Sequence, residues 1–321
     1  MKISAVMTPP TGTNLRLLAQ LGVKDLVYYN MHGMPTEFEE LRQEQARVNQ
    51  CGLNISVVEG GPSIDRIVLG KTGRDQQIED YKRALDNMGR LGIHILCYNF
   101  MPQITADAMV IRTSYATPER GGALTSSFDL TQLNREAQTK EGSSSDEQMW
   151  DNLEYFLKRI IPVAESADVK LAMHPDDPPL SPIWQLSRIM SSVKQFERLF
   201  ELETSPYNGL TFCQGCFSEL GANLIKLIHH FADRIHFVHC RDVAGSLHNF
   251  RETFPDNGPA DLPAIFKAYN DIGYTGLIRS DHMPKLITEK GRNTGYGLHG
   301  NIFAIGYLKG LMEPIFGKPS S

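Results

Sequence analysis

The sequence contains no run of about 18 apolar residues, the length that a membrane-spanning helix needs. Its first residues, MKISAVMTPPTGTN, carry one early lysine but no sustained apolar stretch, so neither export nor membrane insertion is expected and a cytoplasmic location is. Basic charge is not in excess: 32 Lys+Arg against 37 Asp+Glu leave a net charge of −5, which makes nucleic acid a poor partner. Cysteine is sparse and odd in number. Five in 321 residues fit reduced thiols better than a disulfide framework, and the sequon at Asn54 then goes unused. No long biased tract interrupts a composition of 41% hydrophobic and 21% charged residues, which excludes a disordered or fibrous chain and leaves a globular one with a substantial core.

What is present is an alternation. Short apolar, β-rich runs occur at Lys2–Val6, Asp25–Tyr29, Asn54–Val58, Ile93–Asn99, Lys170–His174, Gly209–Cys213, Ile235–His239 and Gly276–Asp281, with longer amphipathic stretches between them. Strands covered on both sides and joined by helices form parallel βα units, and eight such strands close a barrel. The expected fold class is α/β, a single (β/α)8 TIM barrel spanning residues 1–321 with no internal domain boundary. Helices are expected at Glu37–Cys51 before a Gly52 stop, Gln77–Leu91 before Gly92, Asp151–Ser166, Ala222–Asp233 and Leu262–Ile272.

Two stretches break the rhythm. Gln103 to about Gln148 follows the fourth strand and carries Arg112, Thr113, Arg120, Gly121, Gly122 and a polar EGSSSDEQ tract; Pro284–Gly300 follows the eighth and includes NTGYGLHG. Both are long for connectors, and loops after barrel strands lie on the catalytic face, where they serve as lids.

The fifth to eighth strands each end on a residue able to bind a metal: His174, Cys213, His239 and Asp281. Each is separated from the next by roughly one βα unit, which excludes a compact zinc finger but lets a closed barrel bring the four together. Two neutral imidazoles, a thiolate and a carboxylate balance a divalent cation and leave positions open for a Lewis acid to polarise a substrate hydroxyl or carboxylate. Taken singly, each histidine is as well explained as a hydrogen-bonded core residue and the cysteine as a small hydrophobe. Cys213-Gln-Gly-Cys216 also matches C-x-x-C, but no thioredoxin-sized module surrounds it and a second C-x-x-C for a zinc ribbon is missing. Asp176 and Asp177 stand among Pro175, Pro178 and Pro179 in a rigid turn, which favours support or capping over glycosidase-type catalysis. His282, next to Asp281, is a candidate proton carrier near neutral pH, and Tyr296 a phenolic one. Arg241 and Arg279 are candidate carboxylate clamps or members of structural ion pairs.

Taken together, Val57-Val58-Glu59, Cys97-Tyr98-Asn99-Phe100-Met101-Pro102, His174-Pro175-Asp176-Asp177-Pro178-Pro179, Asn208-Gly209-Leu210-Thr211-Phe212-Cys213 and Phe237-Val238-His239 resemble the mannonate dehydratase family, in the right order from about Gly22 to Leu311. The resemblance implies a xylose-isomerase-like TIM barrel that uses manganese or iron(II) to dehydrate D-mannonate to 2-keto-3-deoxy-D-gluconate in hexuronate breakdown. It implies a metal role for His174, Cys213, His239 and Asp281, proton transfer by His282 and Tyr296, and a small sugar acid as partner, with Asn99, Arg241 and Arg279 as candidate contacts to it. Ligand softness alone points to zinc or iron(II), so manganese rests on the resemblance. A homo-oligomer is left open. The sequence departs from the family where the sugar would be read: Asp-Trp-x-Arg-Thr after YNFMP is replaced by Arg112-Thr113 further along, Arg-Pro-Asp-His-Gly has become Arg279-Ser280-Asp281-His282-Met283, and a histidine expected in the Phe-x-Glu segment is replaced near Pro255. Fold alone does not fix chemistry, so a sugar or sugar-acid isomerase or epimerase with the same metal site, and a non-catalytic metal- or sugar-acid-binding protein, are the competing readings.

Overall fold

In the computed structural model, residues 1–29, 34–102, 110–133, 142–290 and 295–317 are described. Twelve strands occur among them: β1 (Lys2–Ala5), β2 (Asp25–Tyr29), β3 (Asn54–Glu59), β4 (Ile95–Tyr98), β5 (Ser114–Pro118), β6 (Leu124–Asp129), β7 (Lys170–Met173), β8 (Asn208–Cys213), β9 (Ile235–Cys240), β10 (Val243–Ser246), β11 (Asn249–Glu252) and β12 (Leu277–Ser280). Eight of them close a parallel barrel in the order β1-β12-β9-β8-β7-β4-β3-β2. These are the eight runs expected from the sequence, and no end is displaced by more than two residues. Inside the barrel, Val6, Val27, Val57, Cys97, Ala172, Phe237 and Leu277 form one packed layer, so the interior is a core rather than a channel.

Helices cover the outside. Phe38–Asn49 and Arg74–Arg90 end where expected, because Gly52 and Gly92 take the left-handed conformation (φ 83° and 71°) that lets the chain turn back into a strand. The helix preceding β7 begins at Asp146, earlier than expected: Ser145 accepts from the Gln148 backbone N–H while the Gln148 side chain accepts from that of Ser145. This capping box lies inside the polar tract that reads as loop. A nineteen-residue helix, Leu298–Phe316, closes the chain, and no described helix is long and apolar enough to cross a membrane.

The first long insertion is more than a loop. Its described part forms the hairpin β5–β6, turning at Arg120–Gly122, and a second hairpin, β10–β11, follows the seventh barrel strand. β6 and β11 pair antiparallel, with Phe250 opposite Phe128 and the two rings stacked at 5.8 Å, giving a four-stranded sheet in the order β10-β11-β6-β5. Ile111, Phe128, Ile183, Val243 and Phe250 form its own small core. Residues 103–109 and 134–141 of the insertion, and 291–294 of the second long loop, lie outside the described residues. Isolated bridges, Leu124 to Lys285 and Met283 to Gly295, tie the second loop to the first hairpin and to itself.

Candidate metal centre

Parallel register puts the carboxyl ends of neighbouring strands at one level. Cys213 pairs with His239, and His239 with Arg279. His174 follows the last residue of β7 and Asp281 the last of β12. The ligand atoms of His174, Cys213, His239 and Asp281 lie within 4.8 Å of one another, and all four residues are buried. The sequence-expected cluster is therefore assembled by the barrel.

Each donor is oriented by a neighbour. His174 Nδ1–H donates to the Pro175 carbonyl at 2.7 Å, which leaves Nε2 free to face His239 Nδ1 at 3.2 Å. With its proton on Nδ1, His174 turns the Nε2 lone pair toward the other donors, as a metal ligand does. Asp281 Oδ1 accepts from Arg279 at 2.9 Å and from Tyr296 at 3.0 Å, while Oδ2 stands 3.7 Å from His239 Nδ1. On the far side of the His239 ring, Nε2 is 3.4 Å from Glu59 Oε2, the arrangement by which a carboxylate fixes a ligating imidazole.

Charge in this centre favours a cation. Burial opposes ionisation of His174, but Cys213, Asp281 and Glu59 outweigh it and raise its pKa to about 9. Burial likewise opposes the Cys213 thiolate, yet Cys216 and His174 draw its pKa well below the ordinary thiol value. Burial is overcome again at Asp281, which His282, Arg279 and His239 hold well below the usual carboxylate range. The donor set, two imidazoles with a thiolate and a carboxylate, fits a divalent ion by chemistry and by charge balance.

Beside the donors lies a buried ionic network. Arg112 donates to both oxygens of Asp177 at 2.8 Å and to Glu252 at 2.8 Å. Arg241 donates to Glu252 at 2.8 and 2.9 Å, to Asp177 at 3.1 Å and to Glu219 at 2.6 Å, and one of its nitrogens stands 3.2 Å from Cys216 Sγ. Gly215 makes room for this: a Cβ there would fall 2.5–2.7 Å from the Arg241 side chain. Arg279 is bound to Glu59 and Asp281. For Arg241 and Arg279, the ion-pair alternative is thus what the structure contains, with each guanidinium about 1% exposed. Asp177 supports this network and Asp176 accepts from the Met190 backbone N–H at 2.7 Å, matching the supporting roles expected of the pair.

His282 and Tyr296 flank Asp281. The His282 ring has Nε2 3.5 Å from Asp281 Oδ1 and Nδ1 3.1 Å from Glu252 Oε1, and its backbone takes a left-handed φ of 47°. Such backbone strain in a non-glycine residue concentrates at functional sites. Burial lowers the imidazole's proton affinity, but Asp281 and Glu252 reverse the sign and raise its pKa. Tyr296 packs against Tyr29, ring centroids 5.5 Å apart, and burial with the Asp281 charge pushes its phenol well above the ordinary value. Asn99 stands just past the end of β4, and its buried side-chain oxygen has no hydrogen-bond partner among the described residues. Sequence reasoning missed Glu219, and met Glu59 and Glu252 only as parts of motifs. An acidic residue closing a buried strand, as in Val57-Val58-Glu59, was the available signal.

A family model described as D-mannonate dehydratase (UxuA) matches residues 11–142 and 130–318. A mannonate dehydratase of Thermotoga maritima is 35% identical, with 87% of this chain and 86% of that protein covered. Mannonate dehydratase 2 of Halalkalibacterium halodurans is 34% identical, with 92% of each covered. The crystal structure of a mannonate dehydratase from Streptococcus suis serotype 2 superposes with a TM-score of 0.90 at 30% identity, covering 100% of this chain and 96% of that one. A D-psicose 3-epimerase from Clostridium cellulolyticum has a TM-score of 0.65 at 12% identity, covering 99% and 100%, a likeness of fold alone.

Proposed function

The chain belongs to the mannonate dehydratase family, and from that premise we propose that it removes water from D-mannonate to give 2-keto-3-deoxy-D-gluconate, in the hexuronate breakdown of the cytoplasm. The observation that carries the proposal is the convergence of His174, Cys213, His239 and Asp281 at the carboxyl end of the barrel. These four would hold Mn²⁺ or Fe²⁺, which supplies a Lewis acid for the substrate's carboxylate and hydroxyl oxygens and for the negative charge that develops there.

The chain's own groups move the protons. Loss of water across C2 and C3 requires that the C2 proton be taken, that the C3 hydroxyl leave with an added proton, and that the resulting enol tautomerise to the 2-keto acid. His282 and Tyr296 form the acceptor and donor pair, both beside Asp281 Oδ1 with their rings 5.7 Å apart. Tyr29 stacks on Tyr296 and restricts its ring. Asn99 offers an unpaired amide oxygen to a substrate hydroxyl. Arg279 and Arg241 act on the substrate indirectly, by holding the carboxylates around the donors.

The test is incubation of metal-stripped protein with D-mannonate, with and without Mn²⁺ or Fe²⁺, and assay for 2-keto-3-deoxygluconate. Metal-dependent product is expected. Metal binding without that product, or with an isomerised or epimerised sugar acid instead, would overturn the assignment.

A further inference from the structure

Glu252 lies on β11, on the accessory sheet rather than the barrel. Its carboxylate is about 1% exposed and is surrounded by donors: Arg112 at 2.8 Å, Arg241 at 2.8 and 2.9 Å, and His282 Nδ1 at 3.1 Å. Two guanidiniums already hold both carboxylate oxygens, so the group cannot rotate away from the imidazole.

We propose that Glu252 is a positioning residue for His282: its carboxylate accepts the Nδ1–H, fixing the ring's tautomer and aiming Nε2 toward Asp281 and the substrate. The inference rests on the proton-transfer role given to His282 above. The case for a dedicated device starts from the backbone of His282, which is held in a strained conformation with φ 47°. A left-handed φ at a non-glycine residue costs energy and is kept only when the surroundings dictate it. Gly295, in a left-handed conformation (φ 116°) that favours glycine, packs against His282, and the carboxylate supplies the ring's direction. A carboxylate behind a proton-carrying imidazole selects which nitrogen bears the hydrogen and stabilises the charge the ring acquires when it takes a second proton. Burial opposes the charge on Glu252, and Arg241, His282 itself and Arg112 together overcome it.

The experiment uses full-length, metal-loaded protein. Glu252→Asp keeps the negative charge that both arginines need but withdraws it from His282 by one methylene; Glu252→Gln keeps the shape and removes the charge. Both are expected to bind metal as before and to lower kcat by about tenfold or more with KM changed little, since the lost interaction serves the reacting state. In a His282→Asn background the Glu252→Asp penalty should vanish, because a residue that acts through another has nothing left to act on. Undiminished kcat in Glu252→Asp, or a penalty that persists without His282, would overturn the proposal. If neither variant folds, ¹⁵N-histidine spectra of the unaltered protein decide: a neutral His282 carrying its proton on Nδ1 supports the proposal, and one carrying it on Nε2 refutes it. Should His282→Asn alone retain full activity, the role of His282 fails first, and that outcome is distinguishable from a failure of Glu252.

Discussion

Arg279 donates to both oxygens of Glu59, at 2.8 and 2.6 Å, and so joins the last strand of the barrel to its third. Its remaining nitrogen holds Asp281 at 2.9 Å. One guanidinium thereby serves a carboxylate behind the His239 ring and another within the donor cluster. Burial opposes the Glu59 charge, but Arg279 and His239 hold its pKa near 2.

Removing that guanidinium should be costly. Arg279→Met is expected to lower stability by about 3–5 kcal/mol, because it strands buried carboxylates, and to weaken metal binding as well. Arg279→Lys should recover little, since a single ammonium cannot grip Glu59 with two bonds and reach Asp281 with a third. Urea unfolding and metal content check both; stability within about 1 kcal/mol of the parent protein would show that the pair is dispensable.

His174→Ala and Asp281→Ala should each lose metal and activity while leaving the circular dichroism spectrum largely as it was, because each residue lies just past a strand end rather than in the packed layer. Elemental analysis of the purified variants gives the answer. Full metal occupancy would remove that residue from the donor set.

His282→Asn and Tyr296→Phe should retain metal and lose kcat by about 10²- to 10⁴-fold, the range associated with general acid–base groups. Steady-state kinetics at saturating metal tests this, and unchanged turnover in either variant would end its claim to proton transfer.

His236 offers a prediction about acid stability. Burial lowers its pKa to about 4, against an ordinary 6.5, and its Nδ1 stands 2.8 Å from the Leu171 carbonyl. The native state therefore binds this proton less readily than the unfolded chain. The stability at stake is fully present above pH 6.5, declines as pH falls toward 4, and amounts to about 3 kcal/mol over that window. Chemical denaturation between pH 7 and 4 should show a flatter profile for His236→Gln than for the parent protein; parallel profiles would mean the histidine titrates alike in both states.

The barrel was legible because its signals are local. Short apolar runs mark each barrel strand, a glycine closes each of the two helices that end at Gly52 and Gly92, and barrel closure turns four separated strand ends into one cluster. The accessory sheet was not legible for the opposite reason. β10 and β11 have four residues each, Val-Ala-Gly-Ser and Asn-Phe-Arg-Glu; they pair with each other, but β11 joins the sheet only through β6, more than a hundred residues earlier in the chain. Glu252 gains meaning only through that pairing, since Arg112, Arg241 and His282 reach it from three different loops. The helix Leu298–Phe316 was hidden by Gly300, Gly306, Gly310 and Pro314 and by a sequence that is apolar nearly throughout.

The weaving of β6 with β11 also bears on how such an enzyme changes its diet over time. The segment after the fourth barrel strand and the segment after the seventh share backbone hydrogen bonds, a pair of stacked phenylalanines and the Arg112–Glu252 contact. Neither can be exchanged with a relative's version without leaving the other's partners behind. The unit that evolution trades, or that a chimera must transplant, is therefore both insertions together. Grafting either alone should cost the remaining hairpin its mate and break the Arg112–Glu252 contact that stands behind His282.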